Sequence, residues 1–138
     1  MLTVTIYHNT GARFTHYRDG HRLVAVTSHR LPTGAEWDPH AVADWAFHAC
    51  NADLDQLETG RGTAHGEITF LAACVYRLLG HRALSVGDVI EISTGQQTWW
   101  LACDSFGWQH INQPSNLRGQ PLTAAKVYQH IRDHGHNR

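Results

Sequence analysis

The stretch Glu67–Gly80, EITFLAACVYRLLG, carries the clearest structural signal of the chain. Its apolar residues recur every three or four positions over three turns, which is the spacing of one face of an amphipathic helix. They are Ile68, Leu71, Ala72, Val75, Leu78 and Leu79. Glycine at position 80 is a common end for a helix. The pattern therefore predicts a helix with one buried face.

Strand signals follow this helix. Val89–Ile92 and Thr98–Cys103 are runs of β-prone residues, and Gly95 lies between them, which predicts two strands joined by a hairpin. A short third strand is predicted at Trp108–Ile111. Because these runs follow each other with short connections, they favour antiparallel pairing.

The N-terminal third predicts a strand pair and a first helix. Leu2–His8 alternates in the manner of a strand, and Leu23–Thr27 is a second β-prone run after a turn signal. Asp38 is a typical N-cap residue, and proline at the next position suits the first turn of a helix. A helix is therefore predicted from about Pro39 to Asn51.

The remaining segments complete an α+β prediction. Thr123 is placed to cap a last helix that ends at Gly135. The element order lacks the βαβ alternation of doubly wound folds. We predict an α+β fold with a mainly antiparallel sheet of four to five strands and about three helices packed on one side. The length suits a single domain, 1–138, and we expect the histidine-rich tail, about 133–138, to be disordered.

Composition excludes several classes of protein. No stretch approaches the roughly 20 apolar residues of a membrane-spanning helix, and the N-terminus lacks the basic and apolar blocks of a secretion signal. A formal net charge of −1 gives no general attraction to phosphate backbones or anionic membranes. Three widely spaced cysteines predict neither a disulfide framework nor a zinc site, and the glycine-rich nucleotide loops do not occur. We therefore expect a cytoplasmic protein with no membrane partner and no cofactor.

Histidine is the outlier in composition, with twelve copies. His130, His134 and His136 include an i, i+4 pair that could place two imidazoles on one metal ion. A zinc site needs three or four ligands, and this helix lacks the HExxH motif of zinc hydrolases. The three histidines are weak candidates for metal ligands, and a solvated polar tail explains the cluster more simply.

One loop contains the residue types of an acyl-transfer triad. They are Asp104, Ser105 and His110, but Ser105 does not lie in a GxSxG elbow. A structural turn closed by Asp104 or Ser105, with Phe106 and Trp108 packed inside, is the simpler interpretation.

Five other histidines could supply the acid and base of a metal-independent nuclease, because imidazoles transfer protons efficiently near neutral pH. They are His8, His16, His48, His65 and His81. Nothing in the sequence selects a pair among them. A hydrogen-bonded histidine in the core or at its boundary is the commoner outcome, so we assign no catalytic residue.

Five tryptophans are a second unusual feature of the composition. The adjacent Trp99 and Trp100 must point to opposite faces if they lie on a strand, so one ring is a candidate for exposure. An exposed aromatic ring beside arginine forms a recognition surface for proteins or for nucleic-acid bases. The candidate binding residues are Trp99, Trp100, Trp108, Arg82 and Arg118. The alternative, which the sequence leaves equally open, is that a second layer of structure covers these rings.

Two segments of the chain resemble a known family. Arg82–Ile90, RALSVGDVI, followed by Cys103–Trp108, CDSFGW, resembles the RSLSVGDV and FG core of YodL-like proteins, with Ala83 where that core has serine. The opening Thr3–Asn9 and Ala46–His48 are similar to small proteins of high-GC bacteria that share this core. The resemblance implies an association with plasmids, phages and integrative elements, and it assigns no catalytic or ligand-binding residue.

These observations leave three functional hypotheses. The first is a noncatalytic accessory or regulatory module of a mobile genetic element, which binds a protein or a specific nucleic acid through aromatic and arginine side chains. The alternative is a small histidine- or metal-dependent hydrolase, such as a nuclease. The third is recognition of RNA or DNA by a small β-barrel, as in the PUA-like and ASCH folds, to which Val86–Ile92 is loosely similar. Histidines that converge with a carboxylate or thiol in one cavity would favour the hydrolase.

Overall fold

The computed structural model describes residues 1–12, 14–32, 37–78, 80 and 82–135. Within these residues the chain forms an α+β fold with six strands and four helices. The strands are β1 (Leu2–Asn9), β2 (Leu23–Leu31), β3 (Val89–Ser93), β4 (Thr98–Asp104), β5 (Gly107–Ile111) and β6 (Leu117–Arg118). The helices are α1 (Pro39–Asn51), α2 (Leu54–Thr59), α3 (Ala64–Arg77) and α4 (Ala124–Gly135).

Local capping explains where the first and last helices begin. The Asp38 carboxylate accepts a hydrogen bond from the His40 amide at 3.1 Å, and a proline follows Asp38 at the first helical position. The Thr123 hydroxyl accepts one from the Lys126 amide at 3.2 Å. Such bonds satisfy amides that a helix leaves unpaired in its first turn. Both caps are the ones that the sequence predicts.

The six strands form one sheet in the order β5-β4-β3-β1-β2-β6. All neighbouring strands are antiparallel except β2 and β6, which are parallel. The sheet is therefore mixed, and it has six strands where the sequence predicts four to five. β6 is the missed strand, because two residues carry no alternation. The order places β5 and β6 at opposite edges, so the described strands form an open sheet and not the small β-barrel of the third hypothesis.

One face of the sheet is covered by helices and holds the main core. Alternate residues of the central strands point to this face, as the pairing of Val4 with Ile92 and of Ile90 with Leu101 requires. The residues that are almost fully buried here include Leu2, Val4, Ile6, Ala43, Ala46, Tyr76, Ile90, Ile92 and Leu101. α1 and α3 supply the helical part of this cluster, and α2 and α4 contact α3.

The opposite face carries a second, smaller cluster covered by loops. Its buried members are Tyr7, Leu23, Ala25, Val89, Trp100 and Ala102. Residues 112–116, which we call the crossing segment, run from β5 at one edge to β6 at the other. The Leu23 amide donates to the Asn116 carbonyl at 3.0 Å, which fixes the far end of this segment. Half-buried Tyr17, Ile111 and Leu117 pack against the cluster.

Other expectations concern membranes, thiols and the tail. None of the helices in the described ranges is long and apolar enough to cross a membrane. The three cysteines are free thiols, two of them buried, and burial raises the pKa of Cys50 to about 12. α4 continues to Gly135, and residues 136–138 of the predicted disordered tail lie outside the described residues.

Candidate functional site

Three loops meet at one end of the sheet. They are residues 10–22 after β1, residues 82–88 before β3, and the turn between β4 and β5. The Gly87 amide donates to the Cys103 carbonyl at 3.0 Å, and the Cys103 amide donates to the Asp88 carbonyl at 2.8 Å. The two segments that resemble the YodL-like core therefore lie side by side. We call this region the loop end.

A buried carboxylate organises the loop end. The Asp88 side chain is fully buried and accepts two bonds from the Arg82 guanidinium, each at 2.7 Å. It also accepts from the backbone amides of Asn9 and Ser85, both at 2.8 Å. A bidentate guanidinium and two amides satisfy the oxygens of the buried anion, which is the condition under which such a pair is tolerated. The bonds to Asp88 raise the pKa of Arg82.

A buried tyrosine extends this network to the first strand. The Tyr76 hydroxyl donates to the Arg82 carbonyl at 2.5 Å. Its oxygen lies 2.6 Å from His8 Nε2, and because the hydroxyl proton is already used, Nε2 is the donor. Burial raises the pKa of Tyr76 above its usual range. His8 is thus tied to the scaffold.

A glycine lets the first loop approach this network closely. Gly87 has a φ of 93°, and a Cβ added there would lie 2.3 Å from the Thr15 carbonyl oxygen. Both the backbone conformation and the space require glycine. The RALSVGDVI segment therefore positions the loop that contains Thr15 and His16.

An exposed histidine–carboxylate pair, which is an ion pair when the histidine is protonated, joins that loop to the β4–β5 turn. His16 Nδ1 lies 2.7 Å from Asp104 Oδ1, and the two side chains are 64% and 36% exposed. The Ser105 amide also donates to Asp104 Oδ1, at 2.7 Å. The pair holds together two loops that approach from different strands.

Two exposed phenylalanines flank this ion pair. Phe106 is fully exposed and Phe14 is 70% exposed, and each lies two residues from a member of the pair. Phe14 also has a φ of 60°, which a bulky residue seldom adopts. We call Phe14, His16, Asp104 and Phe106 the tip surface. It places two exposed aromatic rings on the two loops that the His16–Asp104 pair joins.

Comparison with protein-family models, curated proteins and solved structures finds no match for this chain. The resemblance to YodL-like proteins stays a prediction. The function of the tip surface is therefore inferred from its own geometry.

The binding residues chosen from the sequence do not form one surface. Trp99 and Trp108 lie half-buried against the main core, and Trp99 stacks edge-on with Trp37 at 4.8 Å. Trp100 points to the opposite face, where it is 7% exposed and packs on Tyr7. All five tryptophans are described, and none of them is exposed.

The two arginines of that set lie apart. Arg82 belongs to the buried network of the loop end, with its guanidinium on Asp88. Arg118 is exposed on β6, where its Nε donates to Asn116 at 2.9 Å. The structure thus brings Arg82 close to the tip surface and leaves Arg118 at the far edge of the sheet.

The histidines of the nuclease hypothesis take separate positions. His8 bonds to Tyr76 and His16 to Asp104, while His48 and His65 are exposed on α1 and α3. Among the residues that the structure describes, no three His, Cys, Asp or Glu side chains gather closely enough to hold a metal ion. His81, His136 and the side chains of His130 and His134 lie outside the described part of the chain.

The residues that match an acyl-transfer triad, Asp104, Ser105 and His110, do not form one. Asp104 Oδ1 lies 2.7 Å from His16 Nδ1, whereas the His110 ring contacts His40 edge-on with ring centres 4.9 Å apart. The turn interpretation is correct for Asp104, which caps the Ser105 amide, but Phe106 is exposed where we predicted a packed ring. The turn has only two residues, Ser105 and Phe106, between the paired Asp104 and Gly107. A side chain at that position has no neighbouring strand to cover it, and this signal could have identified Phe106.

Proposed function

We propose that this protein is a noncatalytic binding module that docks a protein partner through the tip surface. The observation that carries the proposal is the exposure of two phenylalanine rings on loops joined by the His16–Asp104 pair. Aromatic side chains with water-excluding surroundings dominate the energetics of protein interfaces. Burial of an exposed phenylalanine stabilises a complex by about 1.5–3 kcal/mol.

The conformation of Phe14 supports the same proposal. A left-handed backbone at a bulky residue costs about 1–3 kcal/mol and persists only where the surroundings impose it. Here Asn9 Oδ1 accepts from the amides of Gly11 and Ala12, both at 3.0 Å, just before Phe14. Thr15, just after it, lies against Gly87. The fold keeps the Phe14 ring exposed at a conformational cost, and a role in binding would explain why the chain retains that conformation.

The partner that we favour is a protein and not a nucleic acid. The formal net charge is −1, so no general attraction to phosphate exists. The two arginines chosen from the sequence also give no common basic patch, because Arg82 is paired with Asp88 and Arg118 lies on β6. An accessory or regulatory role in a mobile genetic element is the context that the YodL-like resemblance supports.

Affinity capture with paired variants tests the proposal. The full chain, Phe106→Ser and the double variant Phe14→Ser/Phe106→Ser are used as baits in cells that encode the protein. Phe47→Ser is the matched control, because Phe47 is 41% exposed on α1, which is not one of the loops that carry the tip surface. The captured protein is then purified, and its Kd is measured by calorimetry. We expect Phe106→Ser to weaken binding at least about tenfold, since burial of one such ring is worth that much, and Phe47→Ser to change it less than about twofold.

Two results would contradict the proposal. One is a partner that binds the double variant as tightly as it binds the wild-type protein. The other is a nucleic acid ligand whose affinity falls steeply with salt, because that dependence reports phosphate contacts.

The ion pair favours a hydrolase as the second candidate. His16 Nδ1 lies 2.7 Å from Asp104 Oδ1, so in a neutral imidazole that carries its proton on Nδ1 the exposed Nε2 is the acceptor. A carboxylate that orients a histidine in this way is one element of general-base catalysis.

Purified full chain is assayed against single- and double-stranded DNA and RNA, with and without Mg²⁺, Mn²⁺ and Zn²⁺. Cleavage that His16→Ala and Asp104→Asn both abolish would support the hydrolase. Cleavage that survives in both variants comes from another protein in the preparation or another site. The second candidate then fails, as it does if no cleavage occurs.

A further inference from the structure

The outer edge of β5 presents backbone groups to solvent. The register pairs Cys103 with Trp108 and Leu101 with His110. The amide and the carbonyl of Cys103 both bond to residues on the β3 side, Asp88 and Gly87. Because bonding positions alternate along an antiparallel pair, the N–H and C=O groups of Trp108 and His110 point away from β4.

The side of β2 that faces away from β1 is covered by residues 116–122, and the β5 edge is not covered. Along β2, the Leu23 amide donates to Asn116, and Leu122 exchanges bonds with Val26 and Ser28. Within the described residues β5 has no second neighbour. Its sequence, GWQHI, also contains none of the lysines, prolines or acidic residues with which proteins commonly discourage pairing at an edge.

A polar cleft of about 480 Å³ lies beside the C-terminal end of β5. Its walls include Tyr17, Asp19, Gln109, Ile111, Asn112 and Gln113. The side-chain amides of Gln109, Asn112 and Gln113 make no hydrogen bond to another described residue. Each amide offers donors and an acceptor that match those of a peptide group. The cleft therefore suits a polypeptide ligand.

One carboxylate gives this cleft its charge. Asp19 Oδ1 accepts from the Tyr17 hydroxyl at 3.3 Å and from the amide and hydroxyl of Ser115 at 3.2 and 3.0 Å. These bonds, with those from Ser115 first, lower the pKa of Asp19, so the carboxylate stays ionised at neutral pH. No lysine or arginine lines the cleft. Charge complementarity favours a basic side chain in the ligand.

We propose that an extended segment of a partner protein adds to β5 as a further strand and places a lysine or arginine side chain against Asp19. Its backbone bonds to the outward groups of Trp108 and His110, and its side chains enter the cleft. A second copy of β5 fits less well, because GWQHI offers Asp19 no lysine or arginine. The inference rests on the proposed function, since Phe106 adjoins β5 and would contact the same partner.

A peptide selection tests this inference. A displayed library of random dodecapeptides is selected against the full chain, and the enriched peptides are synthesised. We expect a lysine or arginine among β-prone residues. His110→Pro removes one outward amide donor without removing a bond to β4, and edge strands tolerate such a proline. His110→Ala is the matched control, because it loses the same ring and keeps the amide.

The expected peptide Kd rises about tenfold in His110→Pro and less than about twofold in His110→Ala, since one unmade backbone bond is worth roughly a factor of ten. Asp19→Asn weakens binding about fivefold, in line with an exposed ion pair. Enriched peptides without a basic residue, equal affinities for His110→Pro and His110→Ala, or a library that yields no binder would each overturn the inference.

Two further measurements keep the test decisive. If His110→Pro fails to fold, amide exchange on the wild-type protein replaces it, and the amides of Trp108 and His110 must exchange more slowly with peptide bound. Phe106→Ser should keep the affinity for the short peptide and lose the captured partner. If the partner is lost but His110→Pro equals His110→Ala, only the strand-addition inference falls. If the double variant Phe14→Ser/Phe106→Ser binds the partner as tightly as the wild-type protein does, the proposed function itself fails.

Discussion

The loop end contains two ion pairs of opposite character. Arg82 and Asp88 bury their contact, with Asp88 fully inaccessible, and two backbone amides complete the carboxylate. His16 and Asp104 form an equally short contact, yet both are substantially exposed. The first pair ties residues 82–88 to the end of β1 at Asn9, and the second joins two loops at the surface.

The difference between the two pairs predicts that folding stability and binding depend on different side chains of the loop end. Removing one partner of a buried pair leaves an uncompensated charge, whereas solvent screens an exposed pair. The buried pair should therefore control folding, and the exposed pair should affect the tip surface with little effect on folding.

The largest effect on folding stability is expected for substitution of Asp88. Asp88→Asn leaves the Arg82 guanidinium without its anion, and we expect the free energy of unfolding to fall by about 3–5 kcal/mol. Urea denaturation followed by tryptophan fluorescence measures this change. A loss below about 1 kcal/mol would remove the distinction between the two pairs.

A half-buried histidine, His29, sharpens the contrast with the exposed His16. Burial lowers the pKa of His29 from 6.5 to about 4. The unfolded chain thus binds more protons between these values, and stability falls as the pH drops through that window. The full difference amounts to about 3 kcal/mol. Unfolding from pH 7 to 4 should show a flatter profile for His29→Gln than for the wild-type protein, and parallel profiles would contradict this prediction.

Gly87→Ala tests whether the buried pair positions the tip surface. The added methyl group meets the Thr15 carbonyl, and the φ of 93° suits only glycine. We expect a loss of about 1–3 kcal/mol, the usual cost of such a strained residue. NMR spectra should also show shifted His16 resonances, because the loop must move. Gly95→Ala is a control with a similar φ of 95° and open space around its Cβ position.

The smallest effect on stability is expected at the exposed pair. His16→Ala should change the free energy of unfolding by at most about 1 kcal/mol. A double-mutant cycle with Asp104→Asn gives the coupling between the two side chains. A coupling as large as the Asp88 effect would show that the pair serves the scaffold.

Regular elements of the fold could be predicted because their signals are local. Asp38 and the proline after it predict α1 at its observed bounds. The period of Glu67–Gly80 predicts α3, but the helix spans Ala64–Arg77 because Thr63 caps it, and Leu71 and Leu78 of the predicted buried face are exposed. α2 was missed because its six residues lie among glycines that favour a loop, although Asp53 caps it by accepting from the Asp55 amide. β6 was missed because its pairing with β2 depends on the path of the crossing segment.

The candidate site was less predictable, because burial and pairing at the loop end are tertiary. Arg82 and Asp88 lie six positions apart in the segment RALSVGDVI, yet Asp88 also accepts from the Asn9 amide of the first strand. Phe106 was expected to pack, and only the two-residue turn exposes it. Trp99 and Trp100 do point to opposite faces, but the main core and the second cluster bury both rings at least in part.

The central position of β1 has a consequence during synthesis on the ribosome. β1 pairs early with β2, but its other neighbour is β3, with Thr5 beside Glu91. At about 5–20 residues per second, the N-terminal hairpin waits several seconds with one edge unpaired. In that interval the nascent chain offers an aggregation-prone edge, so folding of the sheet in the cell should depend on translation speed and chaperone access.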